Sequence, residues 1–119
     1  MPKQLIFEPE VIRMELDDYK DKPLANLIYQ WCIDKYGRIP LFDFNKRKLI
    51  VVKAMIKSRE QGIKFDYRKL LEHTLTFTGI VRCYSNVTYI IETINNTDKD
   101  QIIIEIFQTT MPGNDKEGD

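Results

Sequence analysis

The chain has 119 residues, with 18 basic and 18 acidic side chains, so its formal net charge is zero. Apolar residues make up 43% and charged residues 30%, a globular composition that excludes a disordered chain, a fibre, a histone-like basic protein and an acidic solvating one. At this length one domain is expected, with a core that needs no metal or disulfide staple.

The apolar stretch nearest the start, Leu5 to Phe7, is closed by Glu8 and Pro9, so no signal-peptide core is read there. The longest aliphatic run, Leu49 to Val52, falls far short of the roughly 20 residues that cross a bilayer, and no membrane partner is expected. Cys32 and Cys83 are too few and too far apart for a disulfide framework and are expected as buried thiols. Asn86-Val87-Thr88 and Asn95-Asn96-Thr97 fit the glycosylation acceptor pattern, but without a secretory route they carry no chemistry. A cytoplasmic location follows as the expectation. Ile occurs 16 times, Lys 12 times against Arg 6, and Ala twice. AT-rich codons produce that skew, which points to a low-GC bacterium or its phages and plasmids.

Along the chain, Gln4 to Glu8 reads as a short strand, and Val11 to Leu16 as a second strand or a first helical turn, with Pro9 between them. Asp17 to Lys22 is a solvated connection. A helix is predicted from Pro23 to Tyr36. Leu24, Leu27, Ile28, Trp31 and Cys32 form one stripe at helical spacing, Pro23 suits the first turn, and Gly37 supplies the stop. Ile39-Pro40 forces an extended link. Asp43 then offers a cap for a second helix, Phe44 to Gln61, ended by Gly62. Its β-branched middle, Leu49 to Val52, also suits a strand. Helix is preferred because Lys46, Lys53, Lys57 and Glu60 fall in one narrow arc at 100° per residue. Asp66 is expected to cap a third, shorter helix, Tyr67 to His73.

From Thr74 the period changes, and Thr74 to Thr78 alternates as a strand would, with Gly79 as a bulge or bend. Val87 to Ile94 and Ile102 to Thr109 read as two further strands. The turn-forming residues Asn95 to Gln101 join them as an antiparallel hairpin. Ile102 to Phe107, apolar except at Glu105, reads as a central strand covered on both faces. Residues 1–111 are expected to form one α+β domain, with two to three helices on a small, mostly antiparallel sheet. That sheet would be a C-terminal three-strand meander, joined or not by an N-terminal strand. Residues 112–119 read as a disordered polar tail.

The inventory argues against catalysis, so a non-enzyme without cofactor or metal is expected. His73 is the only histidine, no paired-cysteine zinc spacing occurs, and no glycine loop fits a phosphate. A Cys83–His73 pair has no local support. Asp98 and Asp100 lack the glycine and distal glutamate of a calcium loop. Glu8/Glu10 and Asp17/Asp18 lie in short polar stretches without an acid–base partner. Gly37 to Asp43 is longer than a helix-turn-helix turn, which ranks that reading below the others.

The net charge of zero is a cancellation. Residues 45–69 carry nine basic side chains against two acidic ones, while residues 1–21 and 70–119 are net −3 and −5. The segment contains Lys46, Arg47, Lys53, Lys57, Arg59, Lys64, Arg68 and Lys69, with Phe65 and Tyr67 beside them. Cations hold a phosphate backbone and planar aromatics stack on unpaired bases, so this mixture fits RNA or single-stranded nucleic acid better than duplex DNA. Lys53 and Lys57 would meet phosphates, and Tyr67 or Phe65 would stack. The competing expectation is a phage- or plasmid-encoded interaction module or inhibitor that binds an acidic host protein. Pairing of strand edges would make a homodimer.

Overall fold

A computed structural model describes residues 9–42, 48–60, 66–82 and 86–110. They form β1 (Val11–Asp17), α1 (Leu24–Tyr36), β2 (Lys48–Lys57), α2 (Tyr67–Thr78), β3 (Val87–Ile94) and β4 (Gln101–Thr110). The strands make one sheet in the order β1-β4-β2-β3. β4 is antiparallel to both β1 and β2, and β2 and β3 are parallel. Two helices on a four-stranded mixed sheet make an α+β fold, as expected.

Both helices cover the same face. In β1, β2 and β4 the inward residues alternate strictly: Ile12, Met14 and Leu16, then Ile50, Val52, Ala54 and Ile56, then Ile102, Ile104 and Ile106. Leu24, Ile28 and Cys32 of α1 and Leu71 and Leu75 of α2 pack against them, and Val87, Tyr89 and Ile91 extend the layer along β3. Trp31 and Leu27 complete the α1 stripe at its margin. α1 stops at Gly37, whose N–H makes the last helical bond to the Ile33 carbonyl at 2.8 Å and whose φ of 74° then turns the chain out of the helix.

Several expected elements differ. Lys48–Lys57 is not part of a second helix but a central strand between β4 and β3. Of the four charges in the arc only Lys53 and Lys57 fall within the strand, and these, four apart, share a face in a strand as well as in a helix. The arc of charges therefore could not separate the two, and the β-branched run decides. Thr74 to Thr78 is the second half of α2 rather than a strand. Leu71, Thr74 and Leu75 bury one helical stripe. The threonine hydroxyls turn back into the helix, Thr76 Oγ1 donating to the Glu72 and His73 carbonyls and Thr78 Oγ1 to that of Leu75. Gly79 is therefore a left-handed helix cap with φ 89°, not a bulge. Asp66 does cap α2, its Oδ1 accepting the Lys69 N–H at 3.0 Å.

β3 and β4 do not form a hairpin, because β2 lies between them. No C-terminal meander exists among the described residues. β4 is central, as expected, but only its even-numbered side is covered. Ile103, Glu105 and Phe107 face the side without helices. The predicted strand Gln4 to Glu8, the cap at Asp43, Cys83 and the tail 112–119 lie outside the described residues. No helix among the described residues is long and apolar enough to cross a membrane.

Candidate nucleic-acid interface

The outer face of α2 is set by its buried stripe. With Leu71, Thr74 and Leu75 turned inward, Lys69, His73 and Phe77 follow one another at four-residue spacing on the solvent side, and all three are exposed. Phe77 is 74% exposed, the most exposed large apolar side chain among the described residues. Its ring lies nearly parallel to that of His73, with centroids 6.4 Å apart and an 18° angle between planes. A flat imidazole–phenyl surface thus stands open beside a lysine.

A second line on α2, Arg68, Glu72 and Thr76, faces β3. The Arg68 guanidinium carbon sits 5.6 Å from the centre of the Tyr89 ring, a cation–π contact. These residues, with Val81, Arg82, Asn86 and Val87, line a groove between α2 and β3. Burial, then the Glu72 carboxylate, push the Tyr89 hydroxyl up to about 12 against the opposing effect of Arg68. At neutral pH that hydroxyl is a proton donor. The described cations on this side are Arg68, Lys69 and Arg82. They are accompanied by Glu72 and by Asp66, which the helix cap engages.

The predicted basic segment is divided by the fold. Arg68 and Lys69 lie on α2, whereas Lys53 and Lys57 point from the sheet's opposite face. Lys53 is matched there by cross-strand Glu105 and by the Phe107 ring, whose centroid is 5.4 Å from its Nζ. Tyr67 packs against the core, which removes it as a free stacking face. Lys46, Arg47, Lys64 and Phe65 lie outside the described residues. The sequence reading missed His73 and Phe77 as a pair. Their i, i+4 spacing was present, but assigning Thr74–Thr78 to a strand separated the two rings.

Arg59 belongs to a different feature, a polar node at one end of the sheet. Its N–H donates to Asp100 Oδ1 at 2.9 Å, and its Nε lies 3.7 Å from Asp100 Oδ2. Lys20 Nζ donates to Ser58 Oγ at 3.1 Å and lies 3.6 Å from Asp100 and 3.5 Å from Glu60. The Arg59 N–H holds the Asp100 carboxyl below its ordinary range; burial opposes this, and the Lys20 and Arg59 charges assist it. Ser58 and Lys20 sit at the spacing of a serine–lysine pair. However, Ser58 is 4% exposed, and Lys20 is also engaged by Asp100 and Glu60. The node ties the ends of β1, β2 and β4 together. Asp100 is engaged by Arg59, and Asp98 is exposed in the β3–β4 connection. No group of three or more His, Cys, Asp or Glu among the described residues is arranged to hold a metal.

No protein-family model and no curated protein matches the chain.

Proposed function

We propose that the chain binds RNA loops or single-stranded nucleic acid through the outer face of α2 and the groove beside β3. The observation that carries this reading is the exposed His73–Phe77 stack in line with Lys69. An unpaired base can lie on that surface while Lys69, Arg68 and Arg82 meet the flanking phosphates. The far face of the sheet, where Asp17, Glu15, Glu92 and Glu105 outnumber Arg13, Lys53 and Lys57, is less suited to phosphate.

The test is fluorescence anisotropy with labelled mixed-sequence RNA and single-stranded DNA at low salt. Phe77→Ala is expected to weaken binding by roughly 5- to 150-fold, the measured range for a base–aromatic stack. Lys53→Ala, on the far side of the sheet, should leave it unchanged. With about three phosphates neutralised, log affinity should fall with log salt at a slope near −2. Absence of binding at low salt, or equal loss in the two variants, overturns the reading.

A second reading is an acidic protein partner, favoured by the same exposed phenyl ring beside cations, which suits an apolar pocket with an acidic rim. Pull-downs with and without nuclease separate the two, since only nucleic-acid partners are lost on digestion.

A further inference from the structure

The face of the sheet opposite the helices has no cover among the described residues. Its rows are fixed by strand register. Val11, Phe107, Val51 and Thr88 form one row; Arg13, Glu105, Lys53 and Ile90 the next; Glu15, Ile103, Met55 and Glu92 the third. A fourth row holds Asp17, Gln101, Lys57 and Ile94. Val11 and Ile90 are each 51% exposed. With the half-buried Phe107, Ile103 and Met55, and with Val51 beneath them at 8% exposure, they form an apolar patch crossed by charges. An apolar patch of this kind on one side of a sheet marks an interaction surface.

We propose that this face is a homodimer interface, in which β4 of one protomer packs over β2 of its partner. The argument is self-complementarity. A two-fold axis lying in the interface, parallel to the strands and between β2 and β4, sets each β2 residue against the β4 residue of its own row. Phe107 then meets Val51 of the partner subunit, Glu105 meets Lys53 of the partner subunit, and Ile103 meets Met55 of the partner subunit. Each of these central pairings is apolar on apolar or opposite in charge; Gln101, buried and donating to Asp17 Oδ1 at 2.7 Å, leaves the fourth row outside them. A two-fold axis across the strands does worse, since it buries Lys53 on methionine and Glu105 on isoleucine.

Phosphate is disfavoured as the occupant. Asp17, Glu15, Glu92 and Glu105 outnumber Arg13, Lys53 and Lys57 on the same face, and Arg13 already pairs with Glu15. Glu15 and Glu92 fall opposite each other only at the two outer margins, where water screens them. The strands have 7, 10, 8 and 10 residues, which at normal strand spacing gives a plan area of about 550 Å². Side-chain relief raises the accessible surface above that figure, toward the roughly 800 Å² per partner of a stable interface. Two sheets meeting in this way stack about 10 Å apart with strands about 30° from parallel.

The test is light scattering on the full chain across micromolar concentrations, with and without engineered charges in the third row. The wild type is expected at twice the chain mass of 14.1 kDa. Met55→Asp and Ile103→Arg should each raise the dimer dissociation constant by about 30-fold or more, the scale of a central interface residue. Mixing the two variants should restore a dimer, because the new carboxylate of one protomer then faces the new guanidinium of the other. A native circular dichroism spectrum confirms folding, and recovery on mixing does so independently. Three results overturn the proposal: a wild-type monomer at 100 micromolar (about ten times a weak dimer's constant), dimers unaffected by either charge, or disruption without recovery on mixing. None of these readouts involves nucleic acid.

Discussion

Asp100 shows how a single buried carboxylate is kept charged. It is 8% exposed, yet the Arg59 N–H at 2.9 Å and the Lys20 and Arg59 cations hold its pKa below the ordinary value. A depressed folded pKa contributes stability that is fully present above the unfolded value, near 3.9, and lost as pH falls through the folded one. Asp100→Asn should therefore destabilise the fold by about 1–3 kcal/mol at neutral pH. Urea titrations of both proteins from pH 7 downward should show the gap closing only below about pH 4. A gap that stays constant with pH would mean that shape, not charge, holds the node. Cys32 is the opposite case, a titratable group kept neutral. Burial pushes its thiol up to about 11, and its side chain has no exposure. In a Cys83→Ser variant, Cys32 should resist a thiol reagent in the native state and react within the dead time once denatured. Rapid native labelling would place Cys32 in a segment that opens locally.

At the scale of elements, α2 depends on its cap. Asp66 satisfies the Lys69 N–H, and Asp66→Ala should cost about 1 kcal/mol, read as a shifted urea midpoint with an unchanged slope. The same element explains what the sequence disclosed and what it hid. α1 was legible because five apolar residues repeat at helical spacing between a proline and a glycine. β1, β3 and most of β4 were legible from alternation or β-branched content. β2 was misread because its charges at positions 53 and 57 suit both periods. The end of α2 was misread because alternating threonines imitate a strand, while hydroxyls bonded back to carbonyls remain compatible with a helix. The basic segment was visible as composition, but composition cannot say which layer a lysine leaves from. Its division between α2 and the far side of the sheet depends on the strand assignment. The His73–Phe77 stack became visible only with the whole of α2.

Strand order, unlike strand identity, has no local signal. Neighbouring runs joined by a turn-rich loop usually pair, yet here the last strand is inserted between the first and the second in space. β4 is the only described sheet neighbour of β1 and one of two neighbours of β2. The sheet therefore closes only when residues 101–110 arrive, and most of its pairings span long sequence separations. A fold of this kind forms in milliseconds to seconds rather than microseconds. It also makes the last strand indispensable. A chain ending after Asp100 keeps both helices and the parallel β2–β3 pair but loses the Ile102, Ile104 and Ile106 row, all without exposure in the complete protein. That fragment should show no cooperative thermal transition, because the remaining helices would cover two strands and a gap. Ile104→Ala removes only part of the same row and should leave a folded protein destabilised by about 2–4 kcal/mol. Circular dichroism melting of the fragment, the point variant and the full chain distinguishes the two effects. A sharp transition in the fragment would mean that β1 and β2 can close on each other without β4, and that the central strand is an addition to a self-sufficient core.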